Sequence, residues 1–78
     1  MTKEEKRQYE DKEPVAVYPM SNSGGIEILD ILYGIEDYVV CRYYGMSYHR
    51  VKINYSGERS YFRIGRFRVF LEECMKVR

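Results

Sequence analysis

The sequence is poor in the residues that do chemistry. It has one histidine, His49, and two cysteines, Cys41 and Cys74, which lie 33 positions apart. Nucleophilic catalysis needs a nucleophile held beside a base, and one histidine gives few ways to build that pair. A zinc site needs four clustered ligands, and these three residues show no ligand spacing. Ser23-Gly24-Gly25 is glycine-rich but lacks the lysine and following Ser/Thr of a phosphate loop. The sequence therefore predicts no catalytic residues, no metal and no cofactor. Glu36-Asp37 and Glu72-Glu73 are adjacent carboxylates that on a strand point to opposite faces, so they read as solvated charges or a helix N-terminal pair. His49 shares strand parity with Val51 and Ile53 and reads as a partly buried structural residue. Cys41, between Val40 and Arg42, reads as a small core residue, and Cys74 as one nearer the surface.

Long apolar runs are missing too. No stretch approaches the roughly 20 apolar residues of a membrane helix. The N-terminus has lysines but no apolar segment of a secretion signal. With only two cysteines, the expectation is a cytoplasmic protein with reduced thiols and no membrane partner.

The 78 residues suffice for one domain. Residues 1–13 contain nine charged positions and no aliphatic side chain after Met1. Such a segment buries too little apolar surface to offset its ordering entropy, and it is predicted to be a disordered tail. Residues 14–78 form the predicted domain. A chain of that size has a small core and little room for a deep pocket.

What is present is alternation. Val15, Val17, Pro14 and Pro19 suggest an extended edge segment over residues 14–20. Residues 25–34 are ambiguous. Ile26 and Ile28 share one strand parity and Leu29 and Ile31 the other, which a bulged strand reconciles. Ile28, Ile31, Leu32 and Ile35 also have helical spacing, with Ser23 as a cap. The isoleucines and the bracketing Gly25 and Gly34 favour the strand. Residues 37–44, 48–55, 60–64 and 66–71 read as further strands, the last three strictly alternating. Val51, Ile53, Tyr55, Phe62, Ile64, Phe67, Val69 and Leu71 are predicted to point inward. A helical or 3₁₀ turn fits Glu72 to Met75. The prediction is a mainly β fold, a small five-stranded antiparallel barrel with a short helical turn near the C-terminus. Closure would remove exposed edges. The order of elements looks like SH3-like or OB-like barrels.

Charge is segregated along the chain. Residues 15–41 carry Glu27, Asp30, Glu36 and Asp37 and no base, whereas residues 42–70 carry seven bases against Glu58. Opposite the predicted inward set, one face collects Arg42, Tyr44, Tyr48, Arg50, Lys52, Tyr61, Arg63, Arg66, Arg68 and Phe70. Guanidinium groups pair with phosphates, and aromatic rings stack on unpaired bases. The same residue types are enriched at the centres of protein interfaces. Arginine and tyrosine also suit an ordinary solvated strand face, and the acidic residues 27–37 could neutralise them. The expected role is binding to a macromolecule, foremost a protein. Nucleic acid is the alternative, and homodimerisation through an uncovered edge strand is a third route.

Tyr18-Pro19-Met20, Ser23-Gly24-Gly25, Asp30, residues 33–37 and the terminal Phe70-Leu71-Glu72, Met75-Lys76-Val77 are similar to segments of small proteins carried by prophages and conjugative elements of Gram-positive bacteria. The resemblance spans residues 15–77. It implies an accessory protein of a mobile element and transfers no site residue.

Overall fold

Alternation of apolar and polar residues becomes two antiparallel sheets in the computed structural model of the protein, which describes residues 1–19, 25–43 and 47–77. The chain opens with α1 (Lys3–Tyr9). The strands are β1 (Ala16–Pro19), β2 (Gly25–Leu32), β3 (Tyr38–Tyr43), β4 (Ser47–Lys52), β5 (Asn54–Ser56), β6 (Arg59–Ile64), β7 (Phe67–Phe70) and β8 (Met75–Lys76). A 3₁₀ turn, Leu71–Glu73, joins β7 to β8. The larger sheet has the order β4-β3-β2-β1-β8 and the smaller β5-β6-β7.

The ambiguous segment is a strand, and the bulge is where the two parities collide. The β2–β3 register shifts between Ile28 and Asp30, leaving Leu29 as the extra residue. Ile28 and Leu29 are consecutive, yet both are fully buried. Ile28 belongs to the core between the sheets, with Ala16, Ile26, Val39, Cys41, Ile53, Phe62, Ile64 and Val69. Leu29 and Val40 are buried outside that cluster.

The hairpins β5–β6 and β6–β7 each turn through two residues. Gly57 and Gly65 take the first loop position with φ of +64° and +59°, a conformation that a side chain strains.

Several expectations need correction. The sheets do not close into a five-stranded barrel. The strand expected over residues 48–55 breaks at Ile53, whose N–H donates to the Asp37 carbonyl at 2.8 Å. Pairing on one side of that break belongs to β3 and on the other to β6. At the other end β7 runs into the 3₁₀ turn, and β8 pairs with β1 alone. The 14–20 segment is not an edge, because Ala16 and Val17 lie between β2 and β8. Phe67 and Tyr55 are exposed rather than inward, because they sit at the open ends of the small sheet. Val51 and Leu71 are half-buried against the core.

Residues 3–9 are helical where composition predicts disorder. Thr2 caps the helix: its hydroxyl accepts from the Glu5 N–H and donates to the Glu5 carboxylate. Glu4 and Glu5 stand at the positive end of the helix dipole, and Lys6 and Arg7 at the negative end. Alone, seven residues are too few for a stable helix. Contacts to the large sheet supplement the cap: Glu5 pairs with Arg50 at 3.8 Å, and Lys12 with Asp30 at 3.4 Å.

Candidate functional site

The ten residues predicted to share one face divide between the outer faces of two sheets. Arg42, Tyr48, Arg50 and Lys52 lie on the large sheet, and Tyr61, Arg63, Arg68 and Phe70 on the small one. Arg66 occupies the β6–β7 turn. Tyr44 lies outside the described residues.

The large-sheet half is already engaged. Arg42 stands opposite Glu27 on β2 and Tyr48 on β4. It bridges Glu27 with two prongs, Nε to Oε1 at 3.0 Å and Nη2 to Oε2 at 2.7 Å, and donates to the Tyr48 hydroxyl at 3.3 Å. Those hydrogen bonds, first to Glu27 and then to Tyr48, hold its proton more tightly than usual. Lys6 of α1 sits 5.3 Å from the Tyr48 ring centroid, and the Arg50 guanidinium 4.7 Å from that of Tyr38. Every acid of the 27–37 segment has such a partner. Asp30 takes Lys12, Glu36 accepts from the Tyr38 hydroxyl, and Asp37 accepts from the Tyr55 hydroxyl at 2.5 Å and the Gly34 N–H at 3.2 Å.

The small-sheet half differs. Arg63 and Arg68 are Cα partners directly across the β6–β7 ladder, and both are exposed. Like charges so placed are destabilising. Among the described residues, no carboxylate lies within ion-pair distance of Arg63, Arg66 or Arg68. Beside them the Tyr61 and Phe70 rings meet at 5.3 Å, tilted by 46°. Arg68 leans over Tyr61 at 5.5 Å.

Phe70 is less available than its strand parity implies. The Arg59 guanidinium lies 3.8 Å from its ring centroid and is held there by Glu72 and Glu73. Arg59 falls just outside the strand expected over residues 60–64, but β6 begins at it, and there it shares the parity of Tyr61 and Arg63. Its lock was not legible in the sequence, because Glu72 and Glu73 sit in the 3₁₀ turn that follows β7.

The cysteines and the histidine sit as their neighbours suggest. Cys41 is fully buried, and burial pushes its thiol up to about 12. Cys74 is half-buried and its thiol is pushed up to about 11, by burial and then by Glu73. His49, half-buried, is the Cα partner of Cys41. Among the described residues no three potential ligands converge on a metal position, and no helix is long and apolar enough to cross a membrane. No protein-family model matches the chain, and no curated protein or solved structure matches it significantly.

Proposed function

We propose that this protein is a small, non-catalytic binding module, SH3-like in the order of its strands, whose small sheet takes up single-stranded nucleic acid. The observation that carries this reading is the Arg63–Arg68 pair. Two exposed guanidinium groups face each other with no acid among the described residues within ion-pair distance, and Arg66 adds a third at the adjacent turn. That costs the free protein stability, and a phosphate chain would relieve it. Tyr61 supplies the stacking surface once Arg68 swings onto phosphate. Base stacking on such a ring is worth about 1–3 kcal/mol.

Sequence alone favours a protein partner, because Tyr and Arg are enriched at interface centres and the overall charge is moderate. The acids of residues 27–37 could also leave the arginines a plain solvated face. Instead those acids bind Arg42, Lys12, Tyr38 and Tyr55, and this moves the weight to a polyanion. The two free cysteines fit a reducing, cytoplasmic setting. An accessory role in a mobile element is proposed on the resemblance of residues 15–77 alone.

The test is anisotropy of a labelled single-stranded oligonucleotide of about twelve residues, in RNA and DNA forms, at low salt. Binding that drops more than about tenfold in Arg63→Glu/Arg68→Glu supports the face, since two charge reversals remove two phosphate contacts. No binding at low salt sinks the nucleic-acid reading. Binding indifferent to the double reversal puts the site elsewhere.

A second reading, protein contact, is favoured by the β2–β3 connection. Tyr33 is 72% exposed and Ile35 fully so, with Leu32 and Tyr55 also exposed. Asp37 braces this apolar tip through Gly34 and Tyr55. Sedimentation over a concentration series distinguishes self-association through this tip, or through a strand edge, from nucleic-acid binding.

A further inference from the structure

The nucleic-acid reading leaves α1 without a task, and α1 lies on the other half of the basic and aromatic surface. The β4–β5 ribbon keeps one parity through its break at Ile53. Val51 and Ile53 pack with the core, and Tyr48, Arg50 and Lys52 occupy the alternate positions. Those outward groups lead along the ribbon toward Asn54, which is paired with Tyr61. A strand of nucleic acid seated at Tyr61 and Arg63 would meet this strip next.

In the free protein the strip is taken by the chain itself. The Glu5 carboxylate lies on Arg50 at 3.8 Å, where a phosphate would bind. The Lys6 ammonium lies over the Tyr48 ring at 5.3 Å, where a base would stack. The hold is light. No residue of α1 is buried, and both the Glu5 and Arg50 side chains are more than a third exposed. Exposed ion pairs contribute little, and so short a helix depends on what it touches. The chain is pinned more closely after the helix, by the Val15 N–H on the Ile28 carbonyl at 2.8 Å. Residues 10–14 thus join a lightly held flap to a fixed strand.

We propose that α1 is an autoinhibitory cover, which nucleic acid displaces to extend its footprint from the small sheet onto Tyr48 and Arg50. This rests on the nucleic-acid reading above. Closed, the flap lowers apparent affinity by the fraction of molecules that are open.

The test uses the full chain with Glu5→Gln. Glutamine keeps the backbone N–H that Thr2 caps and an oxygen that can accept from the Thr2 hydroxyl, but it gives up the charge on Arg50. Glu4→Gln, on the same helix and with the same change in charge, is the control. Glu4 takes part in none of the described ion pairs. Affinity for the same oligonucleotide is expected to rise about two- to fivefold in Glu5→Gln, the size of one weak exposed pair, and by less than about twofold in Glu4→Gln. Amide exchange over residues 5–9 is expected to quicken when oligonucleotide is added. Equal effects of the two variants, or slower exchange on binding, overturn the cover and leave the small-sheet site standing. If the unmodified protein binds no oligonucleotide at low salt, both proposals fall together.

Discussion

Glu27 and Arg42 face each other across the β2–β3 ladder, and their side chains close the two-pronged bridge that removes Arg42 from the pool of free cations. The pair is largely covered, with side-chain exposures of 27% and 16%. Cutting one partner leaves the other charge partly desolvated. Glu27→Gln is expected to lower unfolding stability by about 1–3 kcal/mol in a urea titration. Arg63→Ala, on an exposed and acid-free site, is expected to change it by less than about 0.5 kcal/mol, or to raise it by relieving Arg68. Equal losses in the two variants would contradict this division between structural and free arginines.

The bulge gives a second stability prediction. Leu29 is fully buried but lies outside the main cluster, as does Val40. Leu29→Ala removes buried volume from an enclosed site. The expected cost is about 2–4 kcal/mol by chemical denaturation. A cost under about 0.5 kcal/mol, typical of a surface position, would mean that Leu29 is not packed.

These two residues also mark what could be read from the chain. Strand identity was legible wherever parity was strict, as in Phe62, Ile64 and Val69, all of which are buried. Residues 26–32 resisted because one extra residue puts two parities in a single strand, and that mimics helical spacing. Closure of the barrel was not legible. It depends on whether Ile53 continues one ladder or starts another, and alternation looks the same in both cases. The composition of residues 1–13 hid α1 because its supports are a local cap and the distant side chains of Arg50, Tyr48 and Asp30. The face predicted as one was two, since parity fixes the side of a strand but not the sheet that holds it. The neutralisation of Arg42 and the freedom of Arg63 and Arg68 depend on which acids lie across which ladder.

Salt should report how many arginines meet phosphate. Each contact to a single strand contributes about −0.7 to the slope of log affinity against log salt. Arg63, Arg66 and Arg68 together predict a slope of about −2. Arg68→Ala is expected to flatten it to about −1.4. A slope near zero would exclude phosphate contacts as the source of affinity. With no tryptophan in the chain, tyrosine emission offers a second readout. Quenching that disappears in Tyr61→Leu would place a base on that ring.

Asp37 organises the exposed tip, and its effect can be read in a titration. Its hydrogen bond to the Tyr55 hydroxyl, followed by burial and the negative charge itself, raises Tyr55 above the ordinary tyrosine range. Tyr38 is raised in the same direction by its hydrogen bond to Glu36. Asp37→Ala is expected to bring one tyrosine back toward its ordinary value in an ultraviolet pH titration, with Tyr38 unmoved. It also frees the Gly34 N–H, so faster amide exchange at residues 33–36 is expected. An unchanged titration would show that the tip does not need this brace.

The buried thiol sets the alkaline limit. Cys41 has an ordinary value of 9.0 and is pushed up to about 12 by burial in the core. The sign follows from which state keeps the proton. Below about pH 9 the thiol is protonated whether the chain is folded or not, and Cys41 contributes no pH dependence. Between about 9 and 12 the unfolded chain ionises while the folded one cannot, so the unfolded state gains. Stability is then lost as pH rises, by at most about 1.4 kcal/mol per pH unit from this group. Cys41→Ala should flatten that fall while lowering stability at neutral pH through the small cavity it leaves. Some slope remains in that variant, from about pH 9 through Cys74 and from about pH 10 through Tyr38 and Tyr55, all of which are raised too. Thiol labelling at pH 8 gives an independent check. Half-buried Cys74 should react well before Cys41, whose modification should wait for unfolding. Prompt labelling of Cys41 in the native protein would mean that the core opens far more readily than its packing implies.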